Sequence, residues 1–453
     1  SSNRQPCNYH RETRSIGFMS GSGPEMLSGE SLVELVDRGC PVAHIAKIPA
    51  RPGVVGLPQH PVDPELLARL GVGHLWSHQA TALDRIRDGE SVVLTSGTGS
   101  GKSLSYQIPV VEAVLHGRSP HTSLLLFPTK ALAHDQLATL ATLGIDQVTA
   151  TTYDGDSSRD HRAWARRRAN VLLTNPEMLH SGILANHRRW APFLARLRYI
   201  VVDELHLLRG VFGTNVAHLL RRLRRIAHHH GADPQFIFCS ASLGGPAELA
   251  SELCGLEVRP VTTDGAPRGE RTFIVCDPFR DRHRRPTWRA AASVTASLFD
   301  AGQQSLAFAR SRKLVELMAA DIRSRVSDPD SVCSYRSGYL ADERREIEAA
   351  LGLGQLRAVT ATSALELGVD VGGLDATVLA GFPGTISSMW QQAGRSGRQG
   401  RPGISVLVAG DDQLDRWYVR HPDQLLDRAP EPAVINPDNQ QILLPHLRCA
   451  AQE

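Results

Sequence analysis

A glycine-rich octapeptide is the segment of this sequence that points most directly to chemistry. It reads Ser96-Gly97-Thr98-Gly99-Ser100-Gly101-Lys102-Ser103 and follows an apolar run, Val92–Thr95. Glycines let the backbone curl so that successive N–H groups converge on an anion, and the lysine and the hydroxyl after it suit outer phosphates and Mg²⁺. The segment therefore predicts a nucleotide-phosphate loop. Its predicted binding residues are Thr98, Gly99, Ser100, Gly101, Lys102 and Ser103.

Two adjacent carboxylates end a second apolar run, about a hundred residues further on. Ile200-Val201-Val202 leads into Asp203-Glu204-Leu205-His206. Ligands collect at the carboxyl ends of the strands in a parallel sheet, so this pair is expected near the phosphate loop. Asp203, through water, and Ser103 are predicted to hold Mg²⁺. Glu204 is predicted to polarise the water that attacks the γ-phosphate.

The elements that must position these groups are predicted from the hydrophobic pattern. Short continuous apolar runs alternate with helical patterns, which is typical of buried parallel strands covered by helices on both faces. The predicted strands are Val92–Thr95, Ser123–Phe127, Val171–Thr174, Tyr199–Asp203, Phe236–Ser240, Ser305–Ala309, Val332–Tyr335, Ala358–Ala361, Ala376–Ala380 and Ser405–Val408. The fold class is therefore α/β, with two units that each contain a parallel sheet.

Lapses in this alternation predict the domain boundaries. The first, ATP-binding unit spans 65–262, a charged linker rich in Pro and Gly spans 263–290, and the second unit spans 291–425. Residues 1–64 are expected to form a leader and an extension over the first unit. Residues 426–453 are expected to be a tail that begins a further domain.

Composition excludes several classes of protein. The 453 residues are 42% hydrophobic and 21% charged, as in ordinary globular proteins. No apolar run approaches 18 residues, which excludes a transmembrane helix. The seven cysteines are scattered without a C-x-x-C pair, so neither a disulfide scaffold nor a zinc site is expected, and the predicted compartment is the reducing cytoplasm.

The cations of this chain are almost all arginine. Lysine occurs at only four positions, so arginine supplies 46 of the 50 basic residues, although the net charge is only +3. Three basic runs stand out at Arg162–Arg168, Arg221–Arg225 and Arg280–Arg289. Each is either a solvated surface or a footprint for a phosphate backbone.

Further segments, in chain order, make the sequence similar to the superfamily II helicases. Ser96 stands where the strict phosphate-loop pattern has glycine, and this variant is found in helicase-type ATPases. The other matching segments are Leu75–Gln79, Pro128–Ala133, Thr174–Glu177, Ser240–Ser242, Phe308–Arg312, Thr360–Ala364 with Glu366–Asp370, and Gln391–Arg398. The resemblance covers about residues 75–410. It implies two tandem RecA-like domains that use ATP and Mg²⁺ and bind a nucleic-acid strand.

The resemblance also implies roles for individual residues. Gln79 is expected to read the adenine edge and Asp370 to contact the nucleotide. Gln391, Arg395 and Arg398 are expected to act in catalysis, with the arginines closing over ATP from the second domain. The expected strand contacts are Thr129, Lys130, Thr174, Arg310, Arg312, Arg336, Thr360 and Ser363.

A narrower resemblance comes from segments outside these general motifs. Tyr335–Tyr339, Gly381–Gly384 and the tail from Asn436 to Ala450 are similar to the SftH-type DNA helicases, relatives of the RecQ helicases. That likeness implies 3′→5′ movement on single-stranded and tailed duplex DNA, without membrane association. It also implies a C-terminal cysteine-rich zinc domain, which this chain is expected to lack.

Two other functions stay open at this point. One is a DEAD/DEAH-type RNA helicase, against which the Asp-Glu-Leu-His sequence and the SftH-like tail both argue. The other is a nucleotide-switched binding module without hydrolysis, against which Lys102, Glu204 and Arg398 argue.

Overall fold

The computed structural model describes residues 30–116, 120–280, 284–336, 338–366, 373–397 and 400–453. The strands in these ranges are β1 Val42–Ile48, β2 Val55–Gly56, β3 Leu75–Trp76, β4 Val92–Thr95, β5 Thr122–Leu126, β6 Ala150–Tyr153, β7 Val171–Thr174, β8 Leu197–Val202, β9 Gln235–Ser240, β10 Arg259–Val261, β11 Arg271–Cys276, β12 Ser305–Ala309, β13 Val332–Tyr335, β14 Ala358–Ala361, β15 Ala376–Ala380 and β16 Gly403–Val408.

The helices in the same ranges are α1 Glu30–Gly39, α2 Pro64–Arg69, α3 Ser77–Arg87, α4 Leu104–Leu115, α5 Lys130–Thr142, α6 Arg159–Arg168, α7 Pro176–Met178, α8 Ala191–Leu194, α9 Gly210–His229, α10 Pro246–Cys254, α11 Thr287–Asp300, α12 Arg312–Arg323, α13 Ala341–Gly352, α14 Ile386–Ala393, α15 Gln413–Arg420, α16 Pro422–Leu426 and α17 Gln440–Gln452. None of the helices in the described ranges is long and apolar enough to cross a membrane.

The chain forms two compact units. The phosphate-loop unit comprises residues 51–268, 385–387 and 428–453. The second unit comprises, among the described residues, 30–50, 269–384 and 388–427.

The main sheet of the phosphate-loop unit is parallel throughout, with the order β10-β4-β9-β8-β5-β7-β6. Strand β9 therefore lies between β4, which precedes the phosphate loop, and β8, which precedes the two carboxylates. Every residue of β4 and β9 is buried, as expected for apolar strands covered on both faces. The predicted α/β class with parallel sheets is confirmed.

The sheet of the second unit has the order β1-β11-β16-β15-β12-β14-β13, and only β1 runs antiparallel to its neighbour in it. Strand β11 lies inside the predicted linker 263–290, so that part of the linker prediction is wrong. The four buried residues from Phe273 to Cys276 form its core, but flanking Arg, Pro and Gly made the segment resemble a linker. Residues 30–50 also belong to this second unit, whereas the sequence predicted an extension of the first.

The tail packs on the phosphate-loop unit through α17 and α9. Arg222 of α9 forms a buried ion pair with Glu453, and His446 of α17 bonds the Asn215 side chain at 3.1 Å. Residues 428–453 are thus part of this unit, whereas the sequence predicted the beginning of a separate domain.

Candidate nucleotide site and strand-contact residues

The phosphate loop joins β4 to α4 in a conformation that depends on its glycines. Gly99 and Gly101 have φ of +75° and +76°, values that other residues rarely adopt. The buried hydroxyls of Ser96 and Ser100 lie 2.6 Å apart across the loop. Helix α4 begins directly after Ser103, so its first N–H groups and its dipole favour an anion at this position.

Lys102 folds over the loop that precedes it. Its Nζ donates to the carbonyl oxygens of Ser96 at 2.9 Å and Gly97 at 2.7 Å. These acceptors are neutral, and phosphate oxygens would replace them with stronger, charge-assisted hydrogen bonds. The local geometry therefore fits the outer phosphates of a nucleotide.

Asp203 carries a half-buried carboxyl group directly after β8. Burial, followed by the charge of Glu204, raises the pKa of Asp203 to about 7. Tyr106 Oη lies 3.5 Å from its Oδ2. The raised pKa of Asp203 favours a bound cation beside it, because a cation offsets both the burial of this carboxylate and the charge of Glu204.

Glu204 has an unusual backbone conformation. It is a non-glycine residue with positive φ in the described ranges, at +54°. Its N–H donates to Asp203 Oδ1 at 2.8 Å, which compensates part of the cost of a left-handed conformation. Strain of this kind clusters at functional sites, so the conformation supports a chemical role for Glu204.

His206 connects Glu204 with the end of β9. Its Nδ1 lies 3.4 Å from Glu204 Oε2 and 3.5 Å from Ser240 Oγ. Burial, followed by the charge of Lys102, lowers the pKa of His206 to about 3. His206 is therefore neutral near pH 7 and lies between Glu204 and the first residue of the Ser240–Ser242 segment.

Gln79 is buried against the phosphate loop. Its Nε2 donates to the Gly101 carbonyl at 2.9 Å, and its Oε1 accepts from the Trp76 N–H at 2.8 Å. The structure thus brings Gln79 to the loop as the sequence led us to expect. Its contact with adenine stays a prediction.

Two residues near the loop escaped the sequence analysis. Tyr106 lies three positions after Ser103 on α4, so the spacing of residues on one helical face would have pointed to it. Asp264 accepts from the Gly97 N–H at 3.2 Å and pairs with Arg51 at 3.2 Å. No local pattern signals Asp264, because it is 167 positions from Gly97.

The predicted strand contacts of the phosphate-loop unit fall into two groups. Thr129 caps α5, and Lys130 pairs with Asp156 at 2.7 Å on the surface. Thr174 is buried, and its hydroxyl donates to the Tyr153 carbonyl at 2.6 Å. That hydroxyl joins β7 to the end of β6, and the contact of Thr174 with a nucleic-acid strand stays a prediction.

The predicted strand-contact residues of the second unit also differ in exposure and in their partners. Arg312 and Ser363 are exposed. Arg336 pairs with Glu316 at 2.8 Å, and Arg310 donates to the Phe382 carbonyl at 3.0 Å and pairs with Asp412 at 3.4 Å and Asp415 at 3.5 Å. Arg310 and Arg336 therefore form ion pairs with carboxylates of their own unit.

Thr360 is more deeply buried than Thr174. Its side chain is fully buried in β14 and donates to the Val315 carbonyl of α12 at 2.9 Å. The alternation of the strand turns this residue towards a covering helix, and its contact with a nucleic-acid strand stays a prediction.

The predicted catalytic residues of the second unit are buried where they are described. Gln391 and Arg395 are 3% and 2% exposed. Arg395 Nε donates to the Glu366 carbonyl at 3.2 Å, and the Glu366 carboxylate accepts from Gln392 at 2.8 Å. Arg398 and Asp370 lie outside the described residues.

Family comparisons agree with these two units. Residues 76–249 match the family model of the DEAD/DEAH box helicases, and residues 291–400 match that of the helicase conserved C-terminal domain. The first match contains every strand of the main sheet of the phosphate-loop unit except β10, and the second contains β12, β13, β14 and β15 of the other sheet.

Individual proteins are similar over most of this chain. The uncharacterized ATP-dependent helicase YprA of Bacillus subtilis is 42% identical over 398 residues, which are 85% of this chain and 53% of that protein. The ATP-dependent helicase HRQ1 of Saccharomyces cerevisiae is 36% identical over 435 residues, which are 91% of this chain and 40% of that protein. The chain thus spans about half the length of these curated relatives.

A solved structure supplies the third comparison. The crystal structure of the DUF1998 helicase MrfA bound to DNA and AMPPNP has a TM-score of 0.88 and 39% identity to this chain. The similarity covers 94% of this chain and 61% of that one.

Proposed function

The chain belongs to the DEAD/DEAH-type helicases of superfamily II, and from this premise we propose that it is an ATP-dependent DNA helicase. The observation that carries the proposal is the placement of Lys102, Asp203 and Glu204 after the carboxyl ends of β4 and β8, the two strands on either side of β9 in one sheet. The two RecA-like domains, which are the phosphate-loop unit and the second unit described above, are the proposed motor.

ATP is proposed to bind with its phosphates on the loop from Thr98 to Ser103. The N–H groups at the start of α4 and the Lys102 ammonium would hold the β- and γ-phosphates, and Gln79 would contact adenine. The relative MrfA, crystallised with AMPPNP, supports this assignment.

Mg²⁺ is proposed to bind the Ser103 hydroxyl and, through water, Asp203. The raised pKa of Asp203 fits a cation at this position, because a nearby positive charge stabilises the ionised carboxylate that burial and the Glu204 charge disfavour. The ion would neutralise charge on the phosphates.

Glu204 is proposed to accept a proton from the water that attacks the γ-phosphate in line, which yields ADP and inorganic phosphate. Its strained backbone and the neighbouring His206 hold the carboxylate in one orientation. From the second unit, Gln391 and Arg398 are proposed to complete the catalytic group. Arg395 is better supported as a residue that positions the Gln391–Arg398 segment, because its side chain is buried and donates to the Glu366 carbonyl.

DNA is the proposed substrate, with movement 3′→5′ on single strands and unwinding of tailed duplexes. The MrfA structure with DNA, at 39% identity, supports DNA over RNA. The SftH-type assignment rests on the segments after Tyr335 and stays part of this proposal. A reducing, cytoplasmic compartment is also proposed, in agreement with the free thiols of the described cysteines.

Three measurements test the proposal. We expect ATP hydrolysis to be stimulated by single-stranded DNA more than by RNA, and 3′-tailed duplexes to be unwound in preference to 5′-tailed ones. Glu204→Gln should retain ATP and DNA in a stable complex and hydrolyse ATP about 10²–10⁴-fold more slowly, because an amide cannot take a proton. Equal stimulation by RNA, or weak nucleotide binding by Glu204→Gln, would contradict the respective assignments.

A further inference from the structure

Helix α6 is the most basic helix face on the phosphate-loop unit that the proposed function leaves unexplained. Arginine occupies five of its ten positions, and Asp160 is its only acidic residue. Arg159, Arg167 and Arg168 are exposed, and Arg162 and Arg166 are half-buried.

The arginines of α6 differ from the predicted strand-contact cations in their partners. Lys130, Arg310 and Arg336 each pair with a carboxylate. In the described part of the chain no carboxylate lies within ion-pair distance of the α6 guanidinium groups, and Arg162 donates to the Asp154 and Gly155 carbonyls at 3.2 Å each. Their charge is therefore available to an anionic partner.

The spacing along α6 produces two rows. Arg159, Arg162 and Arg166 are three and four positions apart and share one flank, whereas Trp164, Arg167 and Arg168 share the outward face. Trp164 is a large apolar side chain that is 44% exposed. Ten residues of helix extend about 15 Å, so the rows form an elongated track of positive charge with an aromatic ring inside it.

The track begins beside the proposed strand contacts. Ser158 caps α6 by accepting from the His161 N–H, and Asp156, two positions earlier, pairs with Lys130. Strand β6, which leads into α6, is at the edge of the sheet. The amino end of α6 therefore lies at the carboxyl edge of the sheet with Lys130, and the helix continues along the side of the unit.

We propose that α6 is an additional binding surface for single-stranded DNA, which extends the path of the strand beyond Lys130. The arginines contact backbone phosphates and Trp164 stacks on an unpaired base. Charge complementarity identifies a polyanion. The exposed indole favours a single strand over a duplex, because the bases of a duplex are enclosed while every unpaired base offers a face for stacking. This inference rests on the proposed function.

The test compares the full chain with Arg166→Gln/Arg167→Gln/Arg168→Gln by fluorescence anisotropy on oligothymidylates of increasing length. We expect the dissociation constant of the variant to rise about tenfold on long oligonucleotides and to stay near normal on short ones. The slope of log K against log salt should fall by about 2, since a single strand gives about 0.7 for each phosphate contact. The lysine counterpart, Arg166→Lys/Arg167→Lys/Arg168→Lys, should bind almost normally because it keeps the charge.

Trp164→Ala tests the stacking contact separately. Loss of one base stack should weaken binding about fivefold or more without changing the salt slope. ATP hydrolysis without DNA and the thermal midpoint should be unchanged in all these variants, which establishes that they fold.

The outcomes are distinguishable. If the unmodified chain does not bind single-stranded DNA, the proposed function fails and this inference with it. If the unmodified chain binds and the glutamine variant binds equally well at every length, only the role of α6 is overturned. A loss confined to duplex-bearing substrates would overturn the choice of a single strand.

Discussion

The nucleotide site and the strand-contact residues hold their charges in opposite ways. At the proposed nucleotide site Asp203 is half-buried and His206 is buried, and removal from water moves their pKa values in opposite directions, to about 7 and about 3. The strand-contact cations are solvated, with Lys130 43% and Arg310 52% exposed, and they pair with carboxylates. Burial therefore fixes the charge states at the nucleotide site before a ligand binds. The predicted strand-contact residues instead form surface ion pairs, which a nucleic-acid phosphate can replace.

The largest expected effect is that of Lys102→Ala, which tests whether ATP hydrolysis can be lost without loss of DNA binding. Lys102→Ala should abolish ATP hydrolysis, because the loop loses the charge that offsets the phosphates. Affinity for single-stranded DNA should change less than about twofold, since its contacts are spread over many phosphates. Phosphate release and DNA anisotropy on the same preparation measure both. Hydrolysis at a tenth of the normal rate would contradict the role of Lys102.

Two arginines of one segment provide the next test. Arg398→Lys should lower kcat by about 10³-fold with little change in KM for ATP, because the ammonium lacks the planar fork of a finger residue. Arg395→Lys should instead lower the free energy of unfolding by about 1–3 kcal/mol, through weaker bonding to the Glu366 carbonyl. Steady-state kinetics and thermal melting separate them. Normal stability together with lost kcat in Arg395→Lys would make Arg395 the finger.

The raised pKa of Asp203 predicts that the stability of the fold depends on pH. The folded pKa of Asp203 is raised from 3.8 to about 7, so the protonated group stabilises the fold at low pH and this contribution disappears as pH rises through 7. In the protein without nucleotide, Asp203→Asn should therefore melt above the unmodified chain at pH 8, with a smaller difference at pH 5. Melting curves at several pH values measure this. A difference that does not depend on pH would show that Asp203 does not titrate in this range.

The smallest expected effect is on DNA affinity and concerns the surface ion pair between Lys130 and Asp156. Asp156→Asn removes the partner of Lys130, whose hydrogen bond and charge lower the pKa of Asp156. The freed ammonium should bind single-stranded DNA about twofold to threefold more tightly at low salt. Asp342→Asn, which removes an exposed partner from Arg345, is the matched control and should change nothing. Unchanged binding in Asp156→Asn would mean that Lys130 does not contact the strand.

The sequence by itself determined the interior strands and the chemistry of the contiguous segments. Val92–Thr95, Val171–Thr174 and Ser305–Ala309 have the predicted bounds because a parallel strand that is covered on both faces forms a nearly continuous apolar run. The phosphate loop and the carboxylates were identifiable because each needs several residue types in immediate succession.

Tertiary structure alone decided which residues meet and which side chains stay available. It placed β9 between β4 and β8, so that His206 lies between Glu204 and Ser240. It also added β11 to the second sheet and turned the hydroxyls of Thr174 and Thr360 inward. Strand order and burial depend on contacts between residues far apart in the chain, and a local pattern of residue types carries no record of those contacts.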